Sequence, residues 1–151
     1  MMSVPYTVDV RRLDRFSAID LYAMLKLRVD VFVVEQHCPY PELDGNDKDC
    51  LHLRLLMDGE LLACARLWRP TPEHHPRIGR VAVSPDHRGK RLGDALMREA
   101  ISEVEKLYPA EPIEISAQSH LQKFYGSLGF EVISEEYLED GIPHVDMLRR
   151  G

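Results

Sequence analysis

Arg80-Val81-Ala82-Val83-Ser84-Pro85-Asp86-His87-Arg88-Gly89-Lys90-Arg91-Leu92-Gly93 is the stretch on which the reading of this chain turns. The apolar run Ile78 to Val83 reads as a central strand, stopped at Ser84-Pro85 because proline cannot donate to a ladder. Behind it, Leu92 to Leu107 sets Leu92, Ala95, Leu96, Ala100, Val104 and Leu107 on one face of a helix, closed by Pro109 and Pro112. A helix N-terminus offers unpaired N–H groups and the positive end of the macrodipole, and Gly89 and Gly93 let backbone approach an anion closely. Arg88, Lys90 and Arg91 add positive charge, so a phosphate is the natural guest. The same basic residues also fit a solvated surface turn. Their position between a strand and a helix favours the phosphate. A Gly-x-x-x-x-Gly-Lys-Ser/Thr loop is absent, so nucleotide hydrolysis has no motif behind it.

Alternation in Tyr6 to Val10 predicts a first strand, and Phe16 to Val34 has helical periodicity, with Ser17 as its cap and Asp20 at capping-box spacing. His37 to Asp49 carries Pro39, Pro41, Gly45, Glu42, Asp44, Asp47 and Asp49, and reads as a loop rather than packed structure. Leu51 to Met57 and Leu61 to Trp68, joined by Asp58-Gly59, read as a β-hairpin. After Thr71 to Arg77 and the central strand and helix come a strand at Ile113 to Ala117 and a short helix capped by Ser119, stopped at Gly129. Strands at Phe130 to Ile133 and Ile142 to Leu148 complete the order. Such a series is neither all-β nor strict βαβ, and predicts an α/β (α+β) fold, one mixed sheet with helices on both faces.

The length of 151 residues predicts one domain spanning residues 1–151. No apolar stretch approaches the ~20 residues that cross a bilayer, and Met1 to Val10 lacks the regions of a signal peptide, so a cytoplasmic protein with no membrane partner is expected. Three cysteines, Cys38, Cys50 and Cys64, do not make a disulfide framework and fit a reducing compartment. A net charge of -6 argues against nucleic-acid binding, whose affinity rests on neutralising phosphates. His37, Cys38, Cys50 and His52 are zinc-donor types, but a His-Cys pair and a Cys-x-His pair lack the usual ligand spacing, so no metal is expected.

A second segment, Ala117-Gln118-Ser119-His120-Leu121-Gln122-Lys123-Phe124-Tyr125-Gly126-Ser127-Leu128-Gly129-Phe130, follows downstream. Phe124, Leu128 and Phe130 read equally as sheet packing. Together the two segments, in this order and spacing, resemble the signatures of the GNAT superfamily of N-acetyltransferases, and the resemblance covers nearly the whole chain. The first is similar to the pyrophosphate signature Gln/Arg-x-x-Gly-x-Gly/Ala, from Arg88 to Gly93, with Arg91 where glycine is usual. Arginine there is strained if the position needs a positive φ.

The resemblance implies that acetyl-CoA is the acyl donor, held by Val81, Ala82 and Val83 along its pantetheine arm and by Arg88, Gly89, Lys90, Arg91, Leu92 and Gly93 at its pyrophosphate, with Gln118 as a further contact. It implies that an N–H of the strand polarises the thioester carbonyl and that Tyr125 protonates the departing thiolate. A phenol of pKa ~10 stays protonated at neutral pH and can donate to a thiolate of pKa ~8.5. Phe32-Val33-Val34-Glu35-Gln36 and Gly141-Ile142-Pro143-His144 are similar to the ElaA-like branch. Glu35 is the first candidate for a base acting on the acceptor, and His52 and His144 are further proton-relay candidates or structural histidines. The first helix and loop also resemble acylhomoserine-lactone synthases of the same fold, which leaves a longer acyl chain open.

The expected acceptor is an amine on a small molecule or peptide. The acidic residues Glu42, Asp44, Asp47 and Asp49 either attract it or keep the loop solvated. The expected mechanism is direct transfer in a ternary complex. The alternative is a module of this fold that binds acyl-CoA or a protein without turnover. The residues leave the oligomeric state open, a homodimer included.

Overall fold

The computed structural model describes residues 5–151, so the start of the Met1 to Val10 stretch lies outside it. The hairpin forms as expected: β2 (Cys50–Met57) and β3 (Glu60–Trp68) pair antiparallel around Asp58 and Gly59, whose φ values of 51° and 81° suit a two-residue turn of inverted type. On one side β1 (Thr7–Arg12) pairs with β2; on the other β4 (Arg77–Val83) pairs with β3. Beyond β4 lie β5 (Ile113–Gln118) and β8 (Ile142–Arg149), with β6 (Phe130–Val132) and β7 (Tyr137–Glu139) both on β8. Among the described residues, seven strands follow the order β1-β2-β3-β4-β5-β8-β6 in one mixed sheet, and β7, off this path, pairs with β8 as the eighth. No helix among the described residues is long and apolar enough to cross a membrane.

Helices cover both faces. The apolar stripe of α2 (Leu92–Leu107), with Leu96, Met97 and Ala100 fully buried, packs on Leu53, Leu55, Leu67 and Ile115. Helix α1 (Ala18–Val29) lies on the opposite face, where Met24, Leu27 and Val31 meet Cys64 and Ala82. Ser17 caps α1, its Oγ accepting from the Asp20 N–H at 3.1 Å. The helix predicted to reach Val34 stops its regular winding at Val29, and Asp30–Glu35 continue as a wider π-turn. Such turns insert a residue into the helical ladder and re-aim the side chains that follow it.

Three other expectations are corrected. Ser119 does not cap the short helix: a 3₁₀ turn over Ser119–Leu121 precedes α3 (Gln122–Gly126), and the Ser119 hydroxyl is buried without a partner. Strand β7 is absent from the sequence reading, although Asp140-Gly141 makes the same turn as Asp58-Gly59, with φ values of 50° and 77°. The segment His37 to Asp49 is packed rather than merely solvated. Glu42 and Asp47 are buried, and Arg28 of α1, itself 1% exposed, donates to both at 2.8 Å. Arg66 of β3 reaches Asp44 at 3.0 Å and Asp47 at 3.2 Å, and Arg80 of β4 reaches Glu42 at 2.7 Å. Buried carboxylates persist only when paired, and these pairs tie the loop to the α1 face of the sheet.

Candidate active site

The sheet splits where β4 meets β5. These parallel strands share one register pair, Arg77 with Glu114, and then diverge towards Val83 and Gln118. The cause begins on the other edge of β4. Ala65 of β3 stands opposite two residues, Arg80 and Val81, and Arg80 takes a φ of 49° in this bulge. A bulge bends its strand and sharpens the local twist. The backbone of β4 beyond Arg77 therefore carries unpaired donors and acceptors facing a cleft of about 990 Å³. Clefts of that size hold small-molecule ligands.

Val81, Ala82 and Val83 line one wall of the cleft. At their C-terminal end the chain makes a 3₁₀ turn, Pro85–His87, and enters the loop before α2. Gly89 (φ 81°) and Arg91 (φ 59°) both adopt the left-handed conformation, and Arg91 is the N-cap of α2 without a side-chain cap. The strain anticipated for arginine at this position is real: a non-glycine residue there costs roughly 1–2 kcal/mol. The exposed Arg91 side chain stays out of the turn's interior while its backbone follows the glycine-type path. Gly89, Arg91, Leu92 and Gly93 border the cleft, and the first N–H groups of α2 are left for a ligand. Asp94, in that first turn, is turned to Arg98, which donates to it at 3.0 Å. Lys90 lies outside the lining, its Nζ 3.4 Å from His87 Nδ1.

Arg88 and Glu35, assigned separate tasks on sequence, meet across the cleft mouth. Arg88 donates from Nη1 and Nη2 to the two Glu35 carboxylate oxygens at 2.5 and 2.7 Å. The hydrogen bonds hold the Glu35 carboxyl below its ordinary pKa and raise that of Arg88. The π-turn is what brings Glu35 here from the end of α1. Both side chains are about two-fifths exposed, so the pair is open to exchange with a stronger anion.

Tyr125 of α3 and Gln118 at the end of β5 line the opposite wall. The Tyr125 ring is fixed edge-on against Phe124 and Phe130, with centroids at 5.0 and 6.2 Å. Burial pushes its pKa above the usual phenol value, so the hydroxyl keeps its proton throughout the neutral range. His144 borders this cleft and a recess of about 30 Å³ beside it, which Phe32, Glu42, Arg80 and Glu139 also line. His52 borders neither; its Nε2 sits 2.8 Å from the Asp47 carbonyl oxygen, and burial lowers its pKa.

Sulfur chemistry is poorly served. Burial pushes the Cys50 thiol to about 11 and the Cys64 thiol to about 12, and the Cys38 Sγ donates to the Asp140 carbonyl at 3.4 Å. A nucleophilic thiolate needs the opposite shift. No group of three or more His, Cys, Asp or Glu side chains among the described residues is arranged to hold a metal.

Comparison with known proteins agrees with this geometry. Residues 25–150 match the model of the acetyltransferase (GNAT) domain. The protein ElaA of Escherichia coli is 44% identical over 136 residues, covering 88% of this chain and 89% of ElaA. Its crystal structure superposes with a TM-score of 0.89 at 39% identity, covering 97% of this chain and 100% of that one. An acyl-CoA N-acyltransferase from Pseudomonas aeruginosa superposes with a TM-score of 0.91 at 44% identity, covering 96% of this chain and 99% of that one. A CoA-dependent acyl-homoserine lactone synthase shares the fold alone, at 18% identity and a TM-score of 0.78 over 95% of this chain and 82% of that one. With its split sheet, its glycine-bearing basic loop at the head of α2, the matching domain model and these relatives, the chain belongs to the GNAT acetyltransferase family.

Proposed function

We propose that this protein transfers an acetyl group from acetyl-CoA directly to an amine, within a ternary complex. The observation that carries the reading is the free edge of β4, which runs from the split in the sheet to the head of α2, with Tyr125 on the facing wall. An extended pantetheine arm can add to that edge as a strand would, through the backbone of Val81, Ala82 and Val83. Its pyrophosphate then falls to the N–H groups of Gly89 through Gly93 and to the Arg88 guanidinium, with Arg91 at the cleft border and Lys90 outside it adding charge. Gln118 supplies a polar contact from β5. A β4 N–H beside the thioester stabilises the oxyanion that forms on attack. Tyr125 gives its proton to the departing sulfur.

Glu35 enters the reading through Arg88. A diphosphate is the stronger partner for the guanidinium, so coenzyme binding draws Arg88 away and leaves a free carboxylate at the mouth of the cleft. That carboxylate faces the acceptor side and favours a cationic amine. Cytoplasmic placement belongs to the same reading, as does a soluble amine or peptide as partner.

Acetyl-CoA titration by calorimetry tests the coenzyme site, with ATP as a control anion. Arg88→Ala is expected to weaken acetyl-CoA binding about tenfold to a hundredfold, the loss of charge-assisted hydrogen bonds to phosphate with Glu35 left unpaired nearby. Equal affinity in the variant would remove Arg88 from the site. A panel of spermidine, L-lysine and a tripeptide with a free amine then tests transfer. Binding without turnover on any amine favours the second reading, a module that binds acyl-CoA and does no chemistry; the Arg88–Glu35 pair closing the mouth is the observation behind it.

A further inference from the structure

An amine must be neutral to attack a thioester, and Tyr125 serves only the departing sulfur, so the acceptor side needs a group that takes a proton. Before the coenzyme binds, Glu35 gives both oxygens to Arg88 and is held in its less basic state; once Arg88 is drawn away it is still a carboxylate, a much weaker base than an imidazole. His144 is arranged differently. It stands on β8 between Gln118 of β5 and Tyr137 of β7, at the junction of the main cleft and the recess.

The ring's protonation is set by its neighbours. Nδ1 lies 2.7 Å from the Ile142 carbonyl oxygen, which can only accept, so Nδ1 carries a proton. In the neutral ring Nε2 then holds a lone pair, and Glu139 Oε2 lies 3.3 Å from it, within ion-pair distance. A proton delivered to Nε2 turns that contact into an ion pair, which favours the imidazolium. The ring plane is fixed by Tyr137, stacked with centroids 6.2 Å apart, whose hydroxyl is bound between Ser116 and Asp146. Among the other groups around the recess, Glu42 and Arg80 neutralise each other at 2.7 Å, the Cys38 thiol bonds the Asp140 carbonyl, and the Asp140 carboxylate adds negative charge.

We propose that His144 Nε2 is the proton acceptor for the incoming amine, with Glu139 stabilising the imidazolium and the Ile142 carbonyl fixing the tautomer. The inference rests on the transfer reading above and names its acceptor as an ammonium-bearing compound. The ammonium gives one proton to Nε2, and the freed lone pair bonds the thioester carbonyl carbon as the π pair moves to oxygen. On collapse the C–S bond breaks and sulfur takes the Tyr125 proton. The nitrogen's surplus proton restores the phenol, and His144 returns its own to water, so each turnover releases one proton.

The test is the pH dependence of kcat/KM for whichever panel amine is acetylated fastest, measured for the unsubstituted protein, His144→Gln, Glu139→Gln and Glu35→Gln. In His144→Gln the acetyl-CoA affinity should stay within about twofold. There kcat/KM should fall on the order of 10²- to 10⁴-fold, with loss of the limb that rises with pH. Glu139→Gln, at a half-buried position, should move that limb to lower pH because the imidazolium loses its stabilising charge. Glu35→Gln should keep the limb. An unchanged limb in both His144→Gln and Glu139→Gln, or its loss in Glu35→Gln alone, would overturn the assignment. If His144→Gln fails to fold, an unmoved limb in Glu139→Gln overturns it by itself. Acetyl-CoA binding without turnover in the unsubstituted protein sinks the transfer reading, and this inference with it.

Discussion

Tyr125→Phe is expected to lower kcat on the order of 10²- to 10⁴-fold while acetyl-CoA affinity stays nearly constant. The substitution removes one oxygen and leaves the ring, and it is the ring that packs edge-on against Phe124 and Phe130 in the core. Stability should therefore change little, which separates chemistry from folding. Burial holds the phenol protonated, so the missing proton is present in the parent protein across the neutral range. Stopped assays with saturating acetyl-CoA measure kcat, and calorimetry measures affinity. Turnover equal to the parent would take the general-acid role from Tyr125 and leave thiolate departure to solvent.

Arg28→Met is expected to cost about 3–5 kcal/mol, because it strips the shared partner from two buried carboxylates. For a domain of this size that corresponds to a fall in Tm of roughly 6–20 °C. Arg80 stays on Glu42 and Arg66 on Asp47, which places the expected loss towards the lower end of that range. Thermal melts of Arg28→Met and of the triple variant Arg28→Met/Glu42→Gln/Asp47→Asn check the cause: neutralising both carboxylates should recover part of the loss. No recovery would mean that packing of the Arg28 stem, rather than charge, supports the loop.

The same cluster predicts the response to acid. For Asp47, burial alone would raise the pKa, but hydrogen bonds from Arg28 and Arg66 outweigh it and lower it. For Asp44, Arg66 and the Asn46 backbone likewise overcome burial and bring the value to about 2. Both folded-state values lie below those of an unfolded chain, near ~3.9. Their contribution is thus complete above the unfolded value and drains away as pH falls towards 2. Melts between pH 5 and 2 should show the loss at the low end of that window, and Arg28→Met should shrink the part due to Asp47.

Much of the frame is local and therefore readable. The hairpin is announced by Asp58-Gly59 between alternating strands, α2 by its apolar stripe, and the basic turn at its head by Gly89 and the arginines after a strand stopped at Pro85. The β7–β8 hairpin had the same Asp-Gly signal at Asp140-Gly141, but only three residues precede it in β7. So short a run shows no period. Partners distant in sequence left no local trace at all: Arg28 with Asp47, Arg80 with Glu42, Arg88 with Glu35. Polar residues in a Pro- and Gly-bearing segment read as solvent-exposed, because sequence pattern records hydrophobicity and not the arginines that wait on another element.

Most strands and helices, and the glycine-bearing basic turn at the head of α2, follow from backbone period, proline and glycine within a few residues and so lie open in the order of residues. Folding alone parts β4 from β5 at a bulge, closes Arg88 on Glu35, and sets His144 beside Glu139 with its Nδ1 against the Ile142 carbonyl. Strand divergence, ion pairing and tautomer each depend on atoms brought together across the sheet, where burial and the direction of a neighbouring dipole, rather than spacing along the chain, set the energy.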